Sequence, residues 1–198
     1  RSLPYTISAS GLYYLAGDLT YTATTGAAIT VNADNVTIDL MGFSLIGPGK
    51  TSGTNYGIRV EGYSNMEIRN GTVRDFGGNG IYDWSTSYFD TMHRVINVRA
   101  VDNGGTGVHL YGSGNLLERC TLAKNWHGAY VGARSTLIGN VAYKNTYSGI
   151  VASIECTVIG NTSSMNGQYG INVLTDCLVD QNTATTNDQM MGGYTNIR

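Results

Sequence analysis

The chain has 198 residues, enough for one sizeable core, and carries a net charge of −2 with Lys and Arg scattered along it. Only 13% of its residues are charged, roughly half of ordinary usage, while it holds 27 glycines and 14 tyrosines. This balance argues against the basic stripe of a nucleic-acid surface, and no apolar run approaches the 18 or so residues of a membrane span. Three cysteines, Cys120, Cys156 and Cys177, make neither a disulfide framework nor a zinc spacing. Low charge with abundant Gly, Asn, Thr and Tyr suits a secreted, extracellular β-protein. The opening RSLPYTIS lacks the apolar core of a signal peptide. An export signal is therefore expected to have been removed or to lie outside this sequence.

In chain order, residues 1–28 read as short strands covering the start of a repeat, which opens at ITVNADNVTIDLMGFSLIG (29–47). Gly57, Gly80, Gly107, Gly128, Gly149 and Gly170 then each precede a small apolar residue. The intervals are 23, 27, 21, 21 and 21 residues. Each unit alternates apolar and polar residues over short runs bounded by Gly and Asn, a strand pattern. Such units bury no face alone but can stack as rungs of a solenoid. Asparagines recur in register at 140, 161 and 182 and again at 145, 166 and 187, as corner ladders would require. The sequence thus predicts an all-β, single-domain parallel solenoid of about seven rungs over 29–187 and a C-terminal tail over 188–198. Cys156 and Cys177 fall at equivalent places on adjacent rungs and are expected to stay reduced, because stacked side chains seldom reach disulfide torsions.

The rungs GIVASIECTVIGNTSSMNGQYG and GINVLTDCLVDQNT, with ADNVTIDLMGFSLIG before them, resemble right-handed parallel β-helix proteins of the pectate-lyase-like superfamily. The closest likeness is to uncharacterised bacterial proteins described as a right-handed β-helix region. The resemblance covers about residues 29–187 and implies the fold. For function it implies only a range: lyases, epimerases, hydrolases, tail fibres and scaffolds.

After each rung glycine, the first and third residues, apolar except for Asp83, should point inward, and the second and fourth outward. The second position reads Arg59, Tyr82, His109, Tyr130, Val151, Asn172, and the fourth Glu61, Trp84, Tyr111, Gly132, Ser153, Leu174. The first four of these rungs therefore present an exposed face rich in rings, which suits stacking on sugars. The long segments GPGKTSGTNY (47–56) and WSTSYFDTMH (84–93) are expected to wall it. Substrate-binding candidates are Tyr82, Trp84, Tyr111 and Glu61. Catalytic candidates are His109, Tyr130, Arg134 and Arg59, with Arg134 or His109 expected to supply the cation that would make Tyr130 a base. The pairing of His109 with Tyr130 is similar to the His/Tyr chemistry of alginate lyases and mannuronan epimerases, although the epimerase-type DPH motif is missing.

The face offers only Glu61 as an outward carboxylate, with Asp83 expected inward, so neither a metal nor a cofactor is expected. His127 reads as a variable turn residue. The expected partner is a polysaccharide, acted on by lyase or epimerase chemistry. A non-catalytic carbohydrate-binding β-helix and a structural or assembly module stay open, as does lateral or end-to-end association of copies.

Overall fold

The computed structural model describes residues 2–85, 90–192 and 196–197, with side chains described as far as residue 188. Every strand pairing among the described residues is parallel, and the pairings form two sheets. The first sheet takes one strand per coil, in chain order: Tyr5–Ile7, Thr25–Val31, Thr54–Val60, Ile81–Asp83, Val108–Leu110, Ala129–Val131, Ile150–Ala152, Tyr169–Val173 and Gln189–Gly192. Each pairs with the next, as in a right-handed parallel β-helix. These nine strands exceed the seven or so rungs expected, because Tyr5–Ile7 joins ahead of the first repeat and Gln189–Gly192 follows the last. Within residues 1–28, Gly11–Tyr14 and Leu19–Thr20 also pair in register with the coil that follows.

The second sheet bends once per coil. Glu67–Arg74 and Arg94–Val101 run through the bend as single long strands, whereas later coils split there, as in Leu116–Glu118 and Thr121–Ala123. Residues at the bend adopt left-handed backbone: Asn70, Asn97, Arg119, Gly139, Gly160 and Gln181 all have positive φ. Asn and Gly tolerate that conformation best.

Alternation places one row of each strand inside. Ile58, Val60, Ile81, Val108, Leu110, Ala129, Val131, Ile150, Ala152, Ile171 and Val173 are all buried and stack along the core. The rung glycines are required by close approach, as Gly107 illustrates. A Cβ there would lie 2.7 Å from the carbonyl oxygen of Gly128 and from Asn125 Nδ2. The glycine period is the distance between successive places where one coil's backbone presses on the next.

The asparagine ladders close two corners. In one, the N–H of Asn103, Asn125, Asn145 and Asn166 each donates to Oδ1 of the asparagine one coil on, ending at Asn187. In the other, Asn140 and Asn161 donate likewise toward Asn182. A third corner does the same work with mixed side chains. Met66 N–H donates to His93 Nδ1, His93 N–H to Asn115 Oδ1, Asn115 N–H to Ser135 Oγ, and Cys156 N–H to Cys177 Sγ at 3.3 Å. Cys156 and Cys177 are buried and not joined to each other by a disulfide.

Candidate functional site

Strand register puts Arg59, Tyr82, His109, Tyr130, Val151 and Asn172 in one row across the first sheet, as the second position after each glycine predicts. Tyr82 meets His109 edge-on at 5.5 Å between ring centroids, and His109 lies 4.8 Å from Tyr130. The fourth position adds Trp84 and Tyr111, stacked at 5.8 Å and exposed by 44% and 46%. Tyr82 to Trp84 at 6.0 Å and His109 to Tyr111 at 6.2 Å join the two rows into one continuous patch. The strand pleat makes this possible by turning alternate side chains outward at successive coils about 4.8 Å apart.

Tyr56, the residue before a rung glycine, belongs to the patch although it is absent from the sequence candidates. Its ring stacks on Tyr82 at 4.8 Å and 9°. A second cluster lies on the turn leading into the same sheet. Trp126 stacks on Tyr147 at 5.5 Å, and His127 packs edge-on against both rings. The usable signal was the 21-residue offset between Trp126 and Tyr147, which puts both at one place on neighbouring coils.

The charges on the face are few. Arg59 and Glu61 form an ion pair with each other, so the guanidinium is already partnered. Burial, helped by the neighbouring His127, lowers the pKa of His109 to about 4. The imidazole is thus neutral at pH 7, which corrects the expectation that His109 supplies a cation to Tyr130. Its Nε2 is buried without a hydrogen-bond partner among the described residues. Burial and the neighbouring Tyr56 push Tyr82 up to about 12, leaving it a phenol at neutral pH.

Arg134 is engaged at the sheet corner. Its guanidinium lies 3.5 Å from Asp90, 3.7 Å from Glu155 and 3.5 Å from Ser113 Oγ. Asp90 is at the returning end of the 84–93 segment, where it also accepts from Ser113 Oγ at 2.7 Å. No hydrogen bond or ion pair joins Arg134 to His109 or Tyr130 among the described residues. Within the same segment, Thr86 to Phe89 lie outside the described residues.

Asp83 and His93, on the two sides of that segment, both point into the core and are fully buried, as expected for Asp83. Asp83 Oδ2 accepts from Gly112 N–H and Ser85 Oγ at 3.2 Å each and lies 3.8 Å from His93 Nε2. Burial raises the carboxyl's pKa and lowers that of His93 to about 4. Asp83 therefore presents no outward oxygen, and among the described residues no group of three or more His, Cys, Asp or Glu is arranged to hold a metal ion.

Comparison with known proteins agrees with this architecture. The sequence profile described as a right-handed β-helix region matches residues 25–188. No curated protein matches the chain in sequence. Among solved structures, a mutant of the periplasmic alginate epimerase AlgG superposes with a TM-score of 0.57 at 15% identity, over 91% of this chain and 50% of that one. The Dettilon tailspike protein superposes with a TM-score of 0.55 at 16% identity, over 95% of this chain and 38% of that one. The chain therefore spans half or less of the length of these neighbours.

Proposed function

The chain belongs to the right-handed β-helix region family, and on that premise we propose that its first sheet is the binding face of a secreted, polysaccharide-active protein. The observation that carries this reading is the continuous patch of Tyr56, Tyr82, Trp84, His109, Tyr111 and Tyr130. Rings held by strand register are pre-organised, so stacking a sugar on them costs little ordering entropy. Phenol hydroxyls and the neutral imidazole supply hydrogen bonds to sugar hydroxyls, and Arg59 can share its guanidinium between Glu61 and a uronate carboxylate. The alginate epimerase shares the fold at 15% identity, a level that speaks for architecture alone.

Catalysis of the lyase or epimerase kind is a second reading, favoured by the 4.8 Å approach of His109 and Tyr130. Proton abstraction beside a uronate needs a cation on the carboxylate and a base for the C5 proton. With His109 neutral, Arg59 is the residue proposed to meet the carboxylate, and Tyr130 and His109 would divide the proton transfers. Arg134 is proposed to act at a distance, by holding the 84–93 segment through Asp90.

The test is a panel of alginate, pectate, hyaluronan and neutral glucans, read by binding and by products. Retention on a uronic polymer supports the binding reading, and unsaturated products or epimerised residues by NMR support catalysis. Absence of binding to every polymer, together with a self-association that buries Trp84 and Tyr111, would replace both readings with an assembly role.

A further inference from the structure

The second sheet carries a cleft of its own, on coils that also bear the aromatic face but on the other sheet. At its bend, Asn70, Gly71, Asn97, Arg99, Arg119 and Thr121 line a cleft of about 320 Å³. That volume is at the small end of ligand sites and suits one sugar unit better than a polymer. Two guanidinium groups face it, and its lining contains no carboxylate.

The two arginines are held differently. Arg99 donates through Nε to Thr72 Oγ1 at 3.0 Å and makes no ion pair among the described residues. That bond fixes the plane of the guanidinium and leaves both terminal nitrogens free, the fork that carboxylates accept in bidentate fashion. Register places Arg99 between Thr72 and Thr121 on the neighbouring coils, so hydroxyls flank it on both sides. Arg119 is held by Glu118 at 3.1 Å, which leaves Arg99 as the uncompensated charge. The floor is amide: Asn97 Nδ2 donates to Asn70 Oδ1 at 3.1 Å, and Asn70 Nδ2 turns toward Asp39. Asn97 Oδ1 and its second amide proton stay available for hydroxyls.

We infer that this bend is a second carbohydrate site, which takes a single carboxylate-bearing pyranose with its carboxylate on Arg99 and its hydroxyls on Asn97 and Thr121. The site stands apart from the reading of the aromatic face, since no ring contributes to it.

The experiment is an NMR titration of the whole chain with D-glucuronate, with D-glucose, acetate and sulfate as controls. The expected result is saturable, millimolar glucuronate binding with shifts at the Asn70 and Asn97 side-chain amides. Glucose and acetate should each bind at least about tenfold more weakly. Arg99→Gln should weaken glucuronate by about tenfold or more with an unchanged melting temperature, and Arg119→Gln should weaken it less. A Trp84→Ala/Tyr111→Ala protein should show the same glucuronate-dependent shifts at the Asn70 and Asn97 side-chain amides as the parent. Acetate or sulfate binding as tightly as glucuronate would reduce the cleft to a bare anion site and overturn the sugar assignment. Failure of the Asn70 and Asn97 amide signals to shift up to roughly 100 mM, or loss of those shifts in the Trp84/Tyr111 variant, would overturn the site itself.

Discussion

Asn145→Ala isolates what one corner ladder contributes. The Asn145 side chain is buried, and its Oδ1 accepts from Asn125 N–H at 3.0 Å. Its Nδ2 donates to Leu122 C=O and to Asn166 Oδ1, both at 2.9 Å. Alanine would leave the Asn125 N–H with no acceptor and the Leu122 carbonyl short of a donor, both on buried residues. Each buried unsatisfied group costs about 1–3 kcal/mol, so the sum is about 3 kcal/mol. For a domain of this length, that lowers the melting temperature by roughly 10 °C. Urea and thermal unfolding followed by far-UV circular dichroism would read it, with an unchanged m-value marking a loss confined to the folded state. The matched Asn187→Ala, at the last step of the ladder, removes a partly buried group and should cost less than half as much. A loss below about 0.5 kcal/mol for Asn145→Ala would show that the corners are not held by these bonds.

Two further outcomes follow from packing and from proton linkage. Gly107→Ala should destabilise the chain by about 3 kcal/mol or more or prevent folding, because the new Cβ meets the Gly128 carbonyl and the Asn125 amide on the next coil; denaturant unfolding checks this. His93 and His109 both have folded pKa values of about 4, below the unfolded value near 6.5, so the unfolded chain binds protons first and stability falls as pH drops through that window. Asp83, whose pKa is raised, works in the opposite direction. His93→Asn keeps an acceptor in its corner, as Asn115 does one coil on, and removes that titration. It should spare about 2 kcal/mol of the loss between pH 7 and about pH 4.5, and equal pH slopes in both proteins would contradict the assignment.

The fold was legible because two signals repeat. The glycine spacing marks where coils touch, and the apolar alternation sets which row points in, so the row from Arg59 to Asn172 could be written down in register from sequence alone. The mixed corner was not legible. His93, Asn115, Ser135 and Cys177 share one task, accepting a backbone N–H, yet have no common chemistry that a repeat search would find. The 27-residue interval also hid the approach of Asp83 to His93, since a segment of unequal length carries no register. The surroundings of Arg134 were not legible for a related reason: it occupies a left-handed turn at the corner, where its ion-pair partners are Asp90 and Glu155. Trp126 and Tyr147 sit at turn positions, where the strand alternation used to select outward residues does not extend, and Tyr56, within Thr54–Val60, precedes the rung glycine from which the outward positions are counted.

The central claim is that the ring patch on the first sheet binds a sugar polymer. Titrating alginate or pectate into the parent chain and into Trp84→Ala/Tyr111→Ala, by calorimetry and tryptophan fluorescence, tests it most directly. Both rings are exposed and stacked on each other, so their removal should leave the melting temperature within a few degrees while weakening polymer binding by about tenfold or more. Equal affinity in the two proteins would contradict the claim.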